Sequence, residues 1–330
     1  MQTVISYDEA MKQAAGTDCW LLLGNGFSIQ HFNYKTLLEK SGLKADEPIH
    51  LLFDLLESVD FERVVKTLED ASIVEIVYGN DPHSTELLAD ANRLREALVQ
   101  AVRTTHPGHR EDIEGVIPSC VEFLAPFGNV FTLNYDLLLY WVILQRGTNF
   151  SDGFGLGVEA NGFLGPFKTE AYCTIFNVHG GLHLFRKPDD DVEKCLMGTT
   201  GVIDAIAKVI TEGKRFPVYV AEGTSSAKLG RINSIPYLKH CYETLQASTG
   251  SFFIYGHSAD PNDAHIYDAL FRSKIKHLYF CIHQPSAKIA NVDGELARYK
   301  KRNGSGIDYT FVDSESAHVW DRSQIKAVAS

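Results

Sequence analysis

Cys19-Trp20-Leu21-Leu22-Leu23-Gly24-Asn25-Gly26-Phe27-Ser28 is a run of five apolar residues that gives way at once to small and polar ones. An uninterrupted apolar run of this length reads as a strand covered on both faces, as in parallel sheets flanked by helices. Six further segments share its character, at 129–133, 174–178, 217–220, 251–255, 277–282 and 308–312. Stretches with apolar residues at helical spacing separate them, at 34–40, 136–145, 202–212, 236–247 and 262–273. Strand runs joined by helical crossovers predict an α/β fold with a doubly wound parallel sheet. Between the first two strands, residues 48–120 carry three amphipathic segments, 49–58, 61–78 and 85–104, and predict a helical insertion. The whole chain, 1–330, is expected to be a single domain containing it.

Composition narrows the function. Lys and Arg total 31 against 42 Asp and Glu, a net charge of −11, with no long basic block. Direct binding to nucleic acid or to an anionic membrane is therefore not expected, because either needs a concentrated positive field. The six cysteines, at 19, 120, 173, 195, 241 and 281, include no C-x-x-C pair, so no metal site is predicted. Residues 1–9 lack the basic and apolar regions of a signal peptide, and no apolar run is long enough to span a bilayer. A cytoplasmic protein is expected. The glycine-rich stretch 151–165 reads as a loop lying over a site or along the surface.

Chemistry concentrates where the apolar runs stop. In open α/β sheets ligands bind at the carboxyl ends of the strands. Gly24-Asn25-Gly26-Phe27-Ser28 is placed to cradle a pyrophosphate with backbone N–H groups at a helix beginning near Ser28, or else is a plain strand-to-helix turn. Ile29 stands where a third glycine would complete G-x-G-x-x-G, which disfavours a hydride-transferring enzyme. Asn134 and Asp136 follow the second run, and by themselves they read as turn and helix-cap residues. His179, before Gly180 and Gly181, emerges after the third run. Glu222-Gly223-Thr224-Ser225-Ser226 and Gly256-His257-Ser258 follow two more, and five such ends together suggest a cofactor cleft.

These residues resemble the sirtuin-like NAD-consuming enzymes, most nearly the stand-alone bacterial sirtuin-like proteins. Gly24 to Ser28 corresponds to the sirtuin glycine motif with Asn25 in place of the usual alanine, and Thr132-Leu133-Asn134-Tyr135-Asp136 is similar to the T-x-N-x-D block. Val178-His179-Gly180 resembles the segment with the catalytic histidine, and Gly256-His257-Ser258 with Asp263 resembles the G-x-S plus acidic residue of the bacterial proteins. The resemblance runs from about Asp18 to His283, interrupted by the helical stretch. The four zinc cysteines of true sirtuins have no counterpart, and no acyl-lysine channel is recognisable. The resemblance thus implies a Rossmann-like NAD glycohydrolase of antiphage defence, with NAD as substrate and no metal. It implies Asn134 on the ribose hydroxyls or the attacking water, His179 as general base, and Asp136 orienting a partner or capping its helix. Gly24, Asn25, Gly26, Phe27, Ser28, Thr132, Gly223, Thr224, Gly256, His257, Ser258 and Asp263 would contact NAD. A toxic enzyme needs restraint, so a homo-oligomer or a complex with a regulatory defence protein is expected.

Two other classes stay open. Gly256-His257-Ser258-Ala259-Asp260 nearly matches the nucleophile elbow G-x-S-x-G, with Ser258 as nucleophile and His179-Gly180-Gly181 as an oxyanion-hole loop. Asp260 replaces the second glycine, which weakens that match. Ser225-Ser226-Ala227-Lys228 fits S-x-x-K, but the companion S-D-N and K-T-G motifs are missing. The remaining class is a non-catalytic module that binds NAD or a related nucleotide and signals to a partner.

Overall fold

The apolar runs pair with one another in the computed structural model, which describes residues 3–31, 37–58, 60–145, 149–155, 162–196, 201–220 and 224–321. The strands are β1 (Val4–Ile5), β2 (Cys19–Leu23), β3 (Asn129–Thr132), β4 (Phe163–Leu164), β5 (Ile175–Asn177), β6 (Gly180–Arg186), β7 (Val192–Cys195), β8 (Pro217–Tyr219), β9 (Thr249–Tyr255), β10 (Lys274–Ile282) and β11 (Asp308–Asp313). Seven of them form one sheet in the order β1-β11-β10-β9-β2-β3-β5, with every neighbouring pair parallel. The α/β, doubly wound parallel architecture read from the sequence is present.

Twelve α-helices are described: α1 (Tyr7–Gln13), α2 (Leu37–Lys40), α3 (Pro48–Leu55), α4 (Phe61–Val77), α5 (Asp81–Thr105), α6 (Ile117–Leu124), α7 (Leu138–Ile143), α8 (Val202–Thr211), α9 (Ser225–Ser234), α10 (Pro236–Gln246), α11 (Ala264–Arg272) and α12 (Pro285–Arg302). Their positions explain the lack of alternation in the strands. Leu21, Leu23, Val130 and Phe253 enter one core with Tyr7 of α1, Phe53 of α3, Leu98 of α5 and Leu138 of α7. Their strand neighbours Leu22, Phe131, Phe252 and Ile254 enter the other with Ile232 of α9, Leu238 of α10, Tyr267 of α11 and Leu296 of α12. Each such side chain contributes about 1.5–3 kcal/mol when fully buried, so both faces of a central strand must be apolar. None of the described helices is long and apolar enough to cross a membrane.

The fold departs from the sequence expectation in a second sheet. Residues 217–220 do not join the parallel sheet. As β8 they pair with β6 in a four-stranded antiparallel sheet of order β4-β7-β6-β8. A short apolar run reads the same in either setting, and its partner β6 begins at the glycine pair that suggested a loop after His179. Gly180 is required there: its φ is +74°, and a Cβ would lie 2.0 Å from the Val218 carbonyl oxygen. Nor does an α-helix begin at Ser28, since Asn25–Phe27 form a single 3-10 turn.

Five of the described α-helices, α2 to α6, lie between β2 and β3. The longer pair, α4 and α5, pack together, and the Asp60 carboxylate caps α4 by accepting from the amides of Glu62 and Arg63. Pairing within the large sheet fixes the height of everything that follows. Leu23 lies opposite Thr132 and Tyr255, and Thr132 lies opposite Asn177, so four strands stop at one level.

Candidate active site

Above that level opens a cleft of about 1260 Å³, lined by residues at the carboxyl ends of β2, β3, β9, β10 and β11. The loops after β2 and β9 meet at its floor. Gly24 and Gly26 donate their amides to Tyr255 O and Gly256 O at 2.9 and 2.7 Å. Their missing side chains make the approach possible: a Cβ on Gly26 would stand 2.6 Å from Gly256 Cα, and one on Gly24 would stand 2.7 Å from Gly256 O. Gly256 itself has φ +74°. The glycines therefore serve first to hold two strand-end loops together. The amides of Phe27 and Ser28 are also taken, by Gly24 O and Asn25 O. Asn25 is exposed, whereas Phe27 is buried against Trp320, whose indole Nε1 donates to the Phe27 carbonyl at 2.6 Å.

Asn134 stands two residues past Thr132, beside the cleft-lining Leu133 and Tyr135. Its Nδ2 donates to Gly24 O at 3.0 Å and to Ser28 Oγ at 3.1 Å, and its amide donates to Thr132 Oγ1 at 3.0 Å. Two acceptors thus fix which side of the amide is NH₂. Oδ1 is then left buried with no hydrogen-bond partner among the described residues. A buried carbonyl oxygen in that state costs about 1–3 kcal/mol, and so wants a donor from a ligand. Asp136 stands just before α7, one residue ahead of its N-cap Leu137, and its Oδ1 accepts from the Leu138 amide at 2.8 Å.

His179, two residues past Asn177, reaches the same height as Asn134 and lines the cleft. The chain crosses there from the parallel sheet into the antiparallel one, and the Val220 amide holds the His179 carbonyl at 2.9 Å. Its Nε2 meets Nε2 of His265, on α11, at 3.3 Å. His265 in turn touches Ser225 Oγ twice, through ring Nδ1 at 3.0 Å and through its backbone amide at 2.8 Å. Beside them Asp263 binds Lys228 Nζ through Oδ1 at 2.7 Å and His257 Nε2 through Oδ2 at 3.2 Å. His257 Nδ1 accepts from the Ala259 amide, so its proton sits on Nε2 and is donated to Asp263. Ligand-type atoms of His179, Asp263 and His265 converge within 4.8 Å. Each oxygen of Asp263 already accepts one hydrogen bond, and the Lys228 charge beside it opposes a second cation.

Burial dominates the electrostatics. It pushes His179 down to about 3 and His265 down to about 4, although the Asp263 charge pulls both upward. Burial would raise the Asp263 carboxyl, but the His257 hydrogen bond and the neighbouring charges hold it well below the usual carboxylate range. His183 of β6, stacked on Tyr140 of α7, is likewise pushed down to about 3 by burial. In the unfolded chain these rings titrate near 6.5. Below that pH the unfolded chain binds protons the folded one rejects, so stability is complete above 6.5 and lost on acidification toward 3–4. At pH 5 each ring costs about 2 kcal/mol. Urea denaturation is therefore expected to show a clear loss between pH 7 and pH 5. His183→Phe, which keeps the stack without the proton site, should recover about 2 kcal/mol of it at pH 5; a pH dependence unchanged from wild type would mean that His183 takes no part.

Of the remaining sequence candidates, Gly256, His257, Ser258 and Asp263 line the cleft. Thr224 caps α9, its hydroxyl accepting from the Ala227 amide at 3.3 Å, and Gly223 lies outside the described residues. Ser258 is exposed at the cleft, and among the described hydrogen bonds none joins it to a histidine. Lys228 of the S-x-x-K match pairs with Asp263. Sequence reasoning missed His265 and the role of Ser225. The available signal was a histidine within the otherwise apolar buried face of α11.

The model of the family described as "Domain of unknown function (DUF4917)" matches residues 21–320. No curated protein matches the chain. Among solved structures it is similar to "Structure of Sir2Tm bound to a propionylated peptide", with 12% identity, 98% of this chain and 99% of that one covered, and a TM-score of 0.37. It is also similar to "Crystal structure of a Sir2 homolog-NAD complex", with 13% identity, 92% and 98% covered, and a TM-score of 0.36. Scores of this size are too low to carry the architecture, which rests on the strand pairing of the chain itself.

Proposed function

The chain belongs to the DUF4917 family, whose description assigns no activity, and from its cleft we propose that it is an NAD glycohydrolase yielding nicotinamide and ADP-ribose. The observation that carries the reading is the buried, unpartnered Asn134 Oδ1 at the level of His179. In this reading Oδ1 accepts from a ribose hydroxyl or from the attacking water. The glycosidic C–N bond breaks with its electron pair going to the pyridine nitrogen, and the ribose becomes oxocarbenium-like, as in glycoside hydrolysis. Water forms the new C–O bond, and its proton passes to His179. Being neutral throughout the physiological range, His179 is available as a base, and the negative pyrophosphate of bound NAD would strengthen it.

The test is chromatography of NAD products from the purified protein, alone and with any co-purifying partner, without added metal. No cleavage and no NAD-induced thermal shift would remove the reading. Ester hydrolysis lost in Ser258→Ala would put a serine hydrolase in its place. Asn134→Asp is expected to lower turnover by about 10²-fold, because a carboxylate presents no NH₂ to Gly24 O and Ser28 Oγ and so releases the clamp on the loop. Turnover unchanged from wild type would show that Oδ1 takes no part.

The proposal extends to physiology. The chain would act as one domain, with 48–120 inserted, as a cytoplasmic NAD-depleting effector of antiphage defence held in check by assembly. Supporting the last point, Ile73, Val77 and Tyr78 at the end of α4 are 60%, 76% and 83% exposed, an apolar tip of the kind found at protein contacts. Light scattering on the purified protein reads the assembly directly.

A further inference from the structure

We propose that His265, clamped by Ser225, is a positioning residue that fixes the tautomer of His179 and leaves Nδ1 as the basic nitrogen facing the cleft. The inference rests on the reading of His179 as a base. Two imidazole nitrogens 3.3 Å apart share one proton, so one ring donates and the other accepts. Ser225 Oγ already accepts from the His265 backbone amide at 2.8 Å. In the proposed arrangement His265 Nδ1 donates its N–H to the same oxygen, 3.0 Å away, so that one hydroxyl oxygen holds both N–H groups of the residue; the reverse arrangement, with the hydroxyl donating to Nδ1, would place the His179 proton on Nδ1. The far nitrogen of His265 is then a bare acceptor, and it receives the proton on His179 Nε2. The remaining nitrogen of His179, Nδ1, carries the lone pair.

Ring contacts hold the pair in register. His179 and His265 stack at 5.5 Å with planes 20° apart, and the hydroxyl of Tyr242 donates to the His265 carbonyl at 2.9 Å. When Nδ1 takes the proton of the attacking water, the proton already on Nε2 stays on His179 or crosses to His265. The positive charge is then shared by two rings next to Asp263, whose other neighbours are Lys228 and His257. Here a second histidine does what a carboxylate does for the base of a serine protease.

The first experiment needs no turnover. In protein carrying ¹⁵N-labelled histidine, long-range ¹H–¹⁵N correlation at pH 7 should show His179 protonated on Nε2 with a bare Nδ1. His265 should be protonated on Nδ1. Ser225→Ala and His265→Phe should each redistribute the His179 proton between its nitrogens. A wild-type His179 protonated on Nδ1 overturns the proposal whether or not the protein cleaves NAD, whereas inactive wild type with the expected tautomer overturns only the glycohydrolase reading.

The second experiment is kinetic. His265→Phe keeps the stack and is expected to lower kcat about 10²-fold with KM little changed. In His265→Gln an amide oxygen can again accept from Nε2–H, and turnover should return to within about tenfold of wild type. A His265→Phe variant at the wild-type rate, or a folded His265→Gln no better than phenylalanine, overturns the assignment. So does activity lost to a chelator and restored by zinc, since the Nε2 lone pairs would then belong to a metal.

Discussion

His179→Ala is expected to reduce NAD cleavage by about 10²- to 10⁴-fold while leaving NAD affinity within a few-fold, because a general base acts chiefly in the transition state. The ring fills a buried position, so the variant must first be shown to fold. Its surroundings favour that outcome: the backbone is held independently, with the His179 carbonyl bound by the Val220 amide and Gly180 paired with Tyr219. Removing the ring also frees Nε2 of His265, a cost in stability that His179→Gln would reduce. Single-turnover chemistry with isothermal titration separates the effects. Wild-type cleavage in a folded His179→Ala protein would make the ring structural and end the catalytic assignment.

Gly26→Val is expected to destabilise the protein by about 2–4 kcal/mol, combining forced overpacking with a lost hydrogen bond, and to lower the melting temperature by about 5 °C. The sequence alone suggests another outcome, in which a side chain here keeps phosphate away from the loop. In the structure the position of that side chain is occupied by the backbone of Gly256, 2.6 Å away, and Gly256 adopts a φ that most residues avoid. All three nearest atoms at that position are backbone atoms of Gly256, so no flexible side chain can give way. NAD binding should weaken as well, but as a consequence of the loops separating. Gly115→Ala is the control, since no atom lies within 4 Å of the added carbon. A Gly26→Val protein as stable as that control would mean the two loops do not meet as described.

The contrast between Gly26 and His265 marks what was legible. Strand ends announce themselves locally, as an apolar run followed by small polar residues, and register places Asn134 and His179 at one height because both run two residues past paired positions. That much follows from short segments read one at a time. His265 and Ser225 belong to different helices and touch across 40 positions, while His179 and His265 are 86 apart. No local pattern encodes such a meeting. The same holds for 217–220: Val218 and Tyr219 fit a pleated, buried setting equally well in either sheet, and only the course of β6 decides which. A glycine pair after a histidine suggests a loop, yet Gly180 is glycine because the neighbouring strand passes too close for anything larger.

The large sheet tapers from the nine residues of β10 to two in β1 and three in β5, its two borders. A bordering strand offers unpaired amides and carbonyls on which a foreign strand can grow, and both borders here are too short to offer many. At β5 even these are claimed, since Thr174 and Ile175 donate to the Ser151 carbonyl and Asp152 bridges to Cys173. Strand addition at either border of the large sheet is thereby disfavoured in a chain with 45% hydrophobic residues.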